Sequence, residues 1–219
     1  MTERLAKFEA QPLWRVVPTR LPPIALFERA ASLEDGEELI RLEGAFNPHH
    51  GAHMRTEGPP SSQWVFGPGA GYVMAPFVYP NPSRFSDGSY GVFYGGLEEA
   101  TAIQEVAFHR RRFMEATGQG PMMLECLLLQ AACSATLADI RHLREQLPLV
   151  YDPDPNCYAP AQAYALALRT GGSAGIAYAS VRASGGECAA LFTPKALAHC
   201  KVLRPLHYLW NGRQIAGWG

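Results

Sequence analysis

The chain has 219 residues, 18% of them charged and 47% hydrophobic, with 19 Lys and Arg against 20 Asp and Glu for a formal net charge of −1. This composition describes a folded protein that buries roughly 70% of its unfolded surface, and it excludes a disordered one. Near-neutrality, with no basic run beyond Arg110-Arg111-Arg112, excludes an electrostatic footprint for nucleic acid. The five cysteines, Cys126, Cys133, Cys157, Cys188 and Cys200, are widely spaced and contain no C-x-x-C pair, so they read as buried, reduced thiols. With no signal peptide and no apolar run of spanning length, the expected address is the cytoplasm, with no membrane partner.

In chain order, Ser32 caps an expected helix to Ala45 that carries Leu33, Leu39, Ile40 and Leu42. From Pro48 to Pro82, seven prolines and five glycines punctuate the chain, which reads as a packed loop region with short extended pieces. Phe85 to Gly95 reads as a hairpin, with Asp87-Gly88 as its turn and Gly91-Val92-Phe93-Tyr94 as its returning strand. A helix from about Leu97 to Glu115 follows. Its acids Glu98 and Glu99 lie at the start, Arg110 to Arg112 near the end, and Ile103, Val106, Ala107, Phe113 and Met114 form one apolar stripe.

Met122 to Ala132 reads as a strand. After the loop Asp152-Pro153-Asp154-Pro155 comes a helix with Pro160 first, the stripe Ala161, Tyr164, Ala165 and Leu168, and a stop at Gly171-Gly172. Ile176 to Ser180 and Cys188 to Phe192 pair as strands, Val202 to Leu209 adds an edge strand, and Asn211-Gly212 is a final turn. Strands interleaved with few helices give an α+β class.

Three motifs invite chemistry, each beside a plainer account. Gly171-Gly172-Ser173-Ala174-Gly175 matches G-x-S-x-G, with Glu187 and His199 or His207 following in triad order. A nucleophile elbow needs strand, turn, helix, whereas here a helix runs into the glycines and a strand leaves them, so a helix cap is the simpler account. His49, His50 and His53 suit a transition metal, but no acid or thiol recurs at a ligand spacing, so no metal centre is expected. Gly67-Pro68-Gly69-Ala70-Gly71 lacks the strand-before, helix-after setting of a dinucleotide fingerprint. Glu105 stands off the apolar stripe, on a face with Thr101, Ala102 and His109, and on periodicity alone it reads as a surface glutamate paired with His109.

The segment around Glu105 changes that weighting. Asn81-Pro82-Ser83-Arg84-Phe85-Ser86-Asp87-Gly88-Ser89-Tyr90-Gly91-Val92-Phe93-Tyr94, followed by Ala100-Thr101-Ala102-Ile103-Gln104-Glu105, resembles the signature of RES-domain proteins, toxins of bacterial toxin–antitoxin modules. Arg84, Tyr94 and Glu105 stand 10 and 11 residues apart, as in that pattern. Leu13-Trp14-Arg15-Val16 is similar to the family's opening strand, and Gly175 to Arg182 to its later strand ending in a serine, here Ser180.

The resemblance implies one RES domain over residues 1–219, with a longer insertion at about 31–79. It also implies a single-domain ADP-ribosyltransferase-like fold with a mixed, largely antiparallel β core flanked by helices. The implied activity consumes NAD as substrate, passing ADP-ribose to a protein acceptor, water or phosphate. In that chemistry Glu105 stabilises the oxocarbenium-like ribose, Arg15 and Arg84 hold the pyrophosphate, Tyr94 offers a face to nicotinamide or a hydroxyl to ribose, and Ser180 fixes a ribose or phosphate oxygen. The implied partners are an antitoxin that blocks the NAD cleft, and a second toxin copy within a larger assembly. The other classes left open are a non-catalytic NAD- or ADP-ribose-binding module and a serine hydrolase acting through Ser173.

Overall fold

The computed structural model describes residues 4–20, 24–38 and 59–219. His49, His50 and His53, residues 39–58 of the 31–79 segment, and the Leu39, Ile40 and Leu42 part of the expected helix lie outside the described residues. Within them, residues 33–38 are helical, and the Ser32 hydroxyl accepts the Asp35 N–H at 3.1 Å. No described helix is long and apolar enough to cross a membrane.

Among the described residues, seven strands form one mixed, largely antiparallel sheet: β1 (Arg4–Pro18), β2 (Phe93–Gly96), β3 (Met122–Asp139), β4 (Gly175–Ala179), β5 (Glu187–Leu191), β6 (Leu197–Trp210) and β7 (Ile215–Trp218). With helices α1 (Ala25–Arg29), α2 (Ala70–Val78), α3 (Glu99–Thr117) and α4 (Ala159–Thr170) packed around it, the class is α+β. The long strands β1 and β3 run antiparallel from Arg4 opposite Asp139 to Pro18 opposite Cys126. β1 also meets β2, which pairs β5, then β4, and β4 returns to β3 as the parallel pair, so these five strands close a circuit.

Both faces of β4 and β5 are covered. Ala177, Ala189 and Leu191 enter one apolar cluster with Leu13, Phe93 and Leu129, while Ile176, Cys188 and Ala190 enter another with Phe85, Ile140 and Ala161. Alternation on one strand therefore feeds two cores.

Several expectations are corrected. Val202 to Leu209 belongs to a strand twice as well paired as an edge: β6 lies between β3 and β7, and the Asn211-Gly212 turn leads into β7. Phe85 to Gly95 is not a hairpin. Asp87 does make a turn, its carboxylate accepting the Ser89 N–H at 2.9 Å, but Ser83 and Ser86 form only an isolated bridge and β2 pairs with β1 and β5 instead. Phe113 leaves the core stripe and is 46% exposed, and Cys157 is the exposed exception among the free thiols.

The proline-rich segment also contains a helix where loop was expected. Gly69, in left-handed geometry at φ 82°, caps α2, and the Glu28 carboxylate accepts the N–H groups of Gly69 and Gly71 at 2.9 and 2.8 Å. Glu28 thus satisfies the helix's orphan donors from far away in sequence. Burial of Val73, Met74, Phe77 and Val78 outweighs the bond that Pro76 removes. A Cβ on Gly69 would lie 1.8 Å from the Cys200 carbonyl oxygen. Gly69→Ala is therefore expected to cost roughly 3 kcal/mol, read as a lower urea midpoint; an unchanged midpoint would mean that the backbone yields there.

Candidate active site

Four of the five residues singled out in the sequence, Arg15, Arg84, Tyr94 and Glu105, line one cleft of about 440 Å³. Its floor is the β1–β2 junction, where Gly96 lets the first turn of α3 approach closely: a Cβ there would lie 2.7 Å from the Ala102 nitrogen. Ala102, Glu105, Val106, His109 and Arg112 then descend along α3 into the cleft as one helical row.

Glu105 is held from behind. The Ser180 hydroxyl, at the end of β4, donates to its Oε1 at 2.5 Å. The Ser180 Oγ in turn accepts the N–H groups of Arg182 and Ala183 at 3.0 and 2.8 Å, and Ser180 is only 2% exposed. Its hydrogen-bonding capacity is spent on protein. This corrects the expectation that Ser180 touches a ribose or phosphate oxygen: it does not line the cleft and instead orients the carboxylate that does. Burial pushes the Glu105 carboxyl above its ordinary range, opposed by the Ser180 hydrogen bond and by the charges of Arg182 and Arg84. The surface ion pair of Glu105 with His109 is not among the ion pairs of the described residues.

Arg84 is 7% exposed. Its Nη1 donates to the Val150 and Asp152 carbonyls at 2.8 and 3.0 Å, and its guanidinium lies 4.6 Å from the centre of the Tyr158 ring. It clamps the 150–152 backbone, not the Asp87 turn. Arg15 donates from Nη1 to the Tyr94 carbonyl at 3.0 Å and lies 4.6 Å over the Phe93 ring. Desolvation lowers its pKa to about 10, which leaves it a cation at neutral pH. Arg15 Nε and Arg84 Nη2 are both buried without a hydrogen-bond partner among the described residues. Orphaned donors on buried cations are costly.

Tyr94 lines the cleft and also has a structural task. Its hydroxyl shares a 2.9 Å hydrogen bond with Ser83 and accepts the Phe85 N–H at 2.9 Å, and its ring stacks on Phe85 with centroids 6.4 Å apart. The hydroxyl therefore builds the 83–85 arch that aims Arg84, while the residue also lines the cleft. Burial raises the phenol pKa strongly, so the group stays protonated.

Periodicity did not identify Tyr158, Gln162, Arg182 or the inward role of His109. Gln162 on α4 donates to the Ser83 and Ser86 carbonyls at 2.9 and 3.1 Å, which fixes the arch from its other side. Arg182 lies 3.5 Å over the Phe108 ring and donates to the Pro153 carbonyl, joining α3 to the 152–158 loop. No local pattern marks these residues, because their partners are distant in sequence. Partial burial, then the charges of Arg182, Arg112, Arg84 and Arg110, lowers the His109 pKa to about 4, so its imidazole is neutral at physiological pH.

Ser173 does not sit on an elbow. Its hydroxyl donates to the Gly175 carbonyl at 2.8 Å, α4 precedes it and β4 follows, and the Glu187 carboxylate is taken by Arg141 at 2.8 Å. Among the described residues no group of three or more His, Cys, Asp or Glu is placed to hold a metal ion. The Gly67 to Gly71 run does have a helix after it, contrary to expectation, but among the described residues 59–66 it is preceded by a 3₁₀ turn at Ser61–Gln63 and not by a strand.

A family model described as the RES domain matches residues 63–211. The chain is 26% identical to an uncharacterized protein, y4oC, of Sinorhizobium fredii (strain NBRC 101917 / NGR234), over 93% of this chain and 84% of that protein. Among solved structures, the crystal structure of the M. tuberculosis MbcT-MbcA toxin-antitoxin complex aligns at a TM-score of 0.43, with 11% identity, over 90% of this chain and 86% of that chain.

Proposed function

Since the chain belongs to the RES domain family, we propose that it is the toxin of a toxin–antitoxin module and that it cleaves the nicotinamide–ribose bond of NAD. The domain on this reading runs N-terminal of residue 63, because β1 is paired along β3 and supplies Arg15. One observation carries the chemistry: among the described lining residues Glu105 is the single carboxylate, and it faces a cleft whose charged side chains are otherwise Arg15, Arg84 and Arg112. That polarity fits a ligand with an anionic diphosphate and a centre that becomes cationic at one point.

In the proposed reaction the C1′–N bond breaks with its electron pair leaving on nicotinamide, whose ring nitrogen becomes neutral. The ribose C1′ gains positive character, which the Glu105 carboxylate stabilises through a ribose hydroxyl. An acceptor oxygen then forms the new C1′–O bond and loses its proton to solvent. Water, phosphate and a protein side chain are all chemically competent acceptors. A cell that makes such an enzyme needs it inhibited, and a cognate antitoxin covering this cleft is the proposed partner. Nicotinamide release from NAD by the purified chain, with and without inorganic phosphate, tests the reading. Release is expected, and the product identifies the acceptor as ADP-ribose, its 1″-phosphate or a modified protein. No release and no modification of any protein in a lysate would overturn it.

A further inference from the structure

Arg182 follows Ser180 in the turn that leaves β4 and does not itself line the cleft, yet parts of the cleft wall meet on its side chain. Its guanidinium lies 3.5 Å from the centre of the Phe108 ring, within one turn of Glu105 on α3. Its Nη2 donates to the Pro153 carbonyl and reaches the Tyr158 hydroxyl at 3.5 Å. Pro155 and Tyr158 line the cleft, and Arg84 lies 4.6 Å over the same Tyr158 ring. Two arginines therefore hold one segment from two sides: Arg84 takes the Val150 and Asp152 carbonyls, Arg182 the Pro153 carbonyl.

The acids of that segment are turned away from both arginines. Asp152 Oδ1 accepts the Asp154 N–H at 2.8 Å and Asp154 Oδ1 accepts the Asn156 N–H at 2.9 Å, so the two carboxylates brace the loop's own backbone. Among the described residues neither arginine forms an ion pair with a carboxylate. A carbonyl engages a guanidinium without cancelling its charge, whereas a carboxylate would pair it off. Arg182 is thus an anchor that remains a full cation beside the cleft. We infer that Arg182 is a positioning residue for the proposed NAD cleavage, pinning the 152–158 rim and Tyr158 against α3 beside Glu105 without touching the dinucleotide. The inference rests on the proposed reading and deepens it. Lysine would keep the charge, but not the planar face on Phe108 together with the reach to Pro153 and Tyr158.

The charge has its own consequence. Around Glu105 stand Arg84 from the arch, Ser180 and Arg182 from the turn, Tyr178 from β4, Cys188 from β5, and His109 and Arg112 from its own helix. Burial raises the Tyr178 and Cys188 groups, which stay protonated. Arg182 holds down the pKa of both Glu105 and His109, so loss of its charge moves both groups to higher pH.

The test compares Arg182→Lys with Arg182→Gln, reading kcat and KM for NAD across pH and, without NAD, hydrogen exchange of the 152–158 amides. Both variants are expected to exchange faster there and to raise KM roughly tenfold, the effect of losing one charge-assisted hydrogen bond. Only the glutamine variant is expected to move the acid limb of kcat/KM to higher pH, since lysine retains the charge. Unchanged KM and unchanged exchange in both variants would overturn the inference even if the wild type cleaves NAD. A lower urea midpoint with KM and the acid limb in place would make Arg182 structural only, and would also overturn it. Faster exchange at 152–158 in both variants of a protein that never releases nicotinamide would uphold the pinning and overturn the catalytic reading.

Discussion

On the proposed reading, Glu105→Gln is expected to abolish nicotinamide release, with a fall in kcat on the order of 10³-fold, while the protein remains folded. Glutamine preserves the length of the side chain, and its amide oxygen accepts the Ser180 hydroxyl as the carboxylate does at 2.5 Å. What the substitution removes is the negative charge. That charge is costly in the ground state, since burial raises the Glu105 pKa. For a carboxyl whose folded pKa lies above its unfolded value, stability is fully present below the unfolded pKa and is lost as pH rises through the folded one. The glutamine variant escapes this loss, so at neutral pH its urea midpoint is expected to equal or exceed that of the wild type. Activity down with stability level or up is the signature of a residue kept for chemistry. Wild-type turnover in the variant would remove Glu105 from the mechanism, and a lower midpoint would assign it to the fold.

The legible part of the molecule was the local part. The α3 helix, the β4–β5 pair and the stop of α4 at Gly171 follow from periodicity and caps, and they appear within two residues of where those signals put them. The missed elements depend on partners far along the chain. β1 hides its alternation because an irregularity between Phe8 and Gln11, with Ala10 at φ 50°, shifts the phase: Ala6 and Phe8 face the same cluster as Leu13 and Val17. α2 is capped by Glu28, so the proline-rich sequence shows no local start signal. The same division holds at the site. Arg84, Tyr94 and Glu105 came from the resemblance to the RES-domain signature, and they do share the cleft with Arg15. Their division of labour was not legible, because it is set by Gln162, Val150 and Ser83 closing around the arch.

Ser180→Ala tests whether that division of labour extends to the serine, which the structure makes a positioning residue. Three hydrogen bonds meet on its hydroxyl, one to Glu105 and two from the turn that carries Arg182. Alanine would leave two N–H groups and the carboxylate short of a partner, at a stability cost of roughly 2 kcal/mol. A carboxylate displaced by even a fraction of an ångström lowers kcat by on the order of 10²-fold. Loss of structure alone would also slow the enzyme, so the pH profile carries the distinction. The Ser180 hydrogen bond lowers the Glu105 pKa against the upward push of burial, and its removal moves the acid limb of kcat/KM to higher pH. Ser180→Thr keeps the hydroxyl and is expected to return the limb to its original position even where its added methyl costs some stability. An acid limb that stays in place in Ser180→Ala would show that the hydroxyl serves the turn alone and that Glu105 is oriented by other groups.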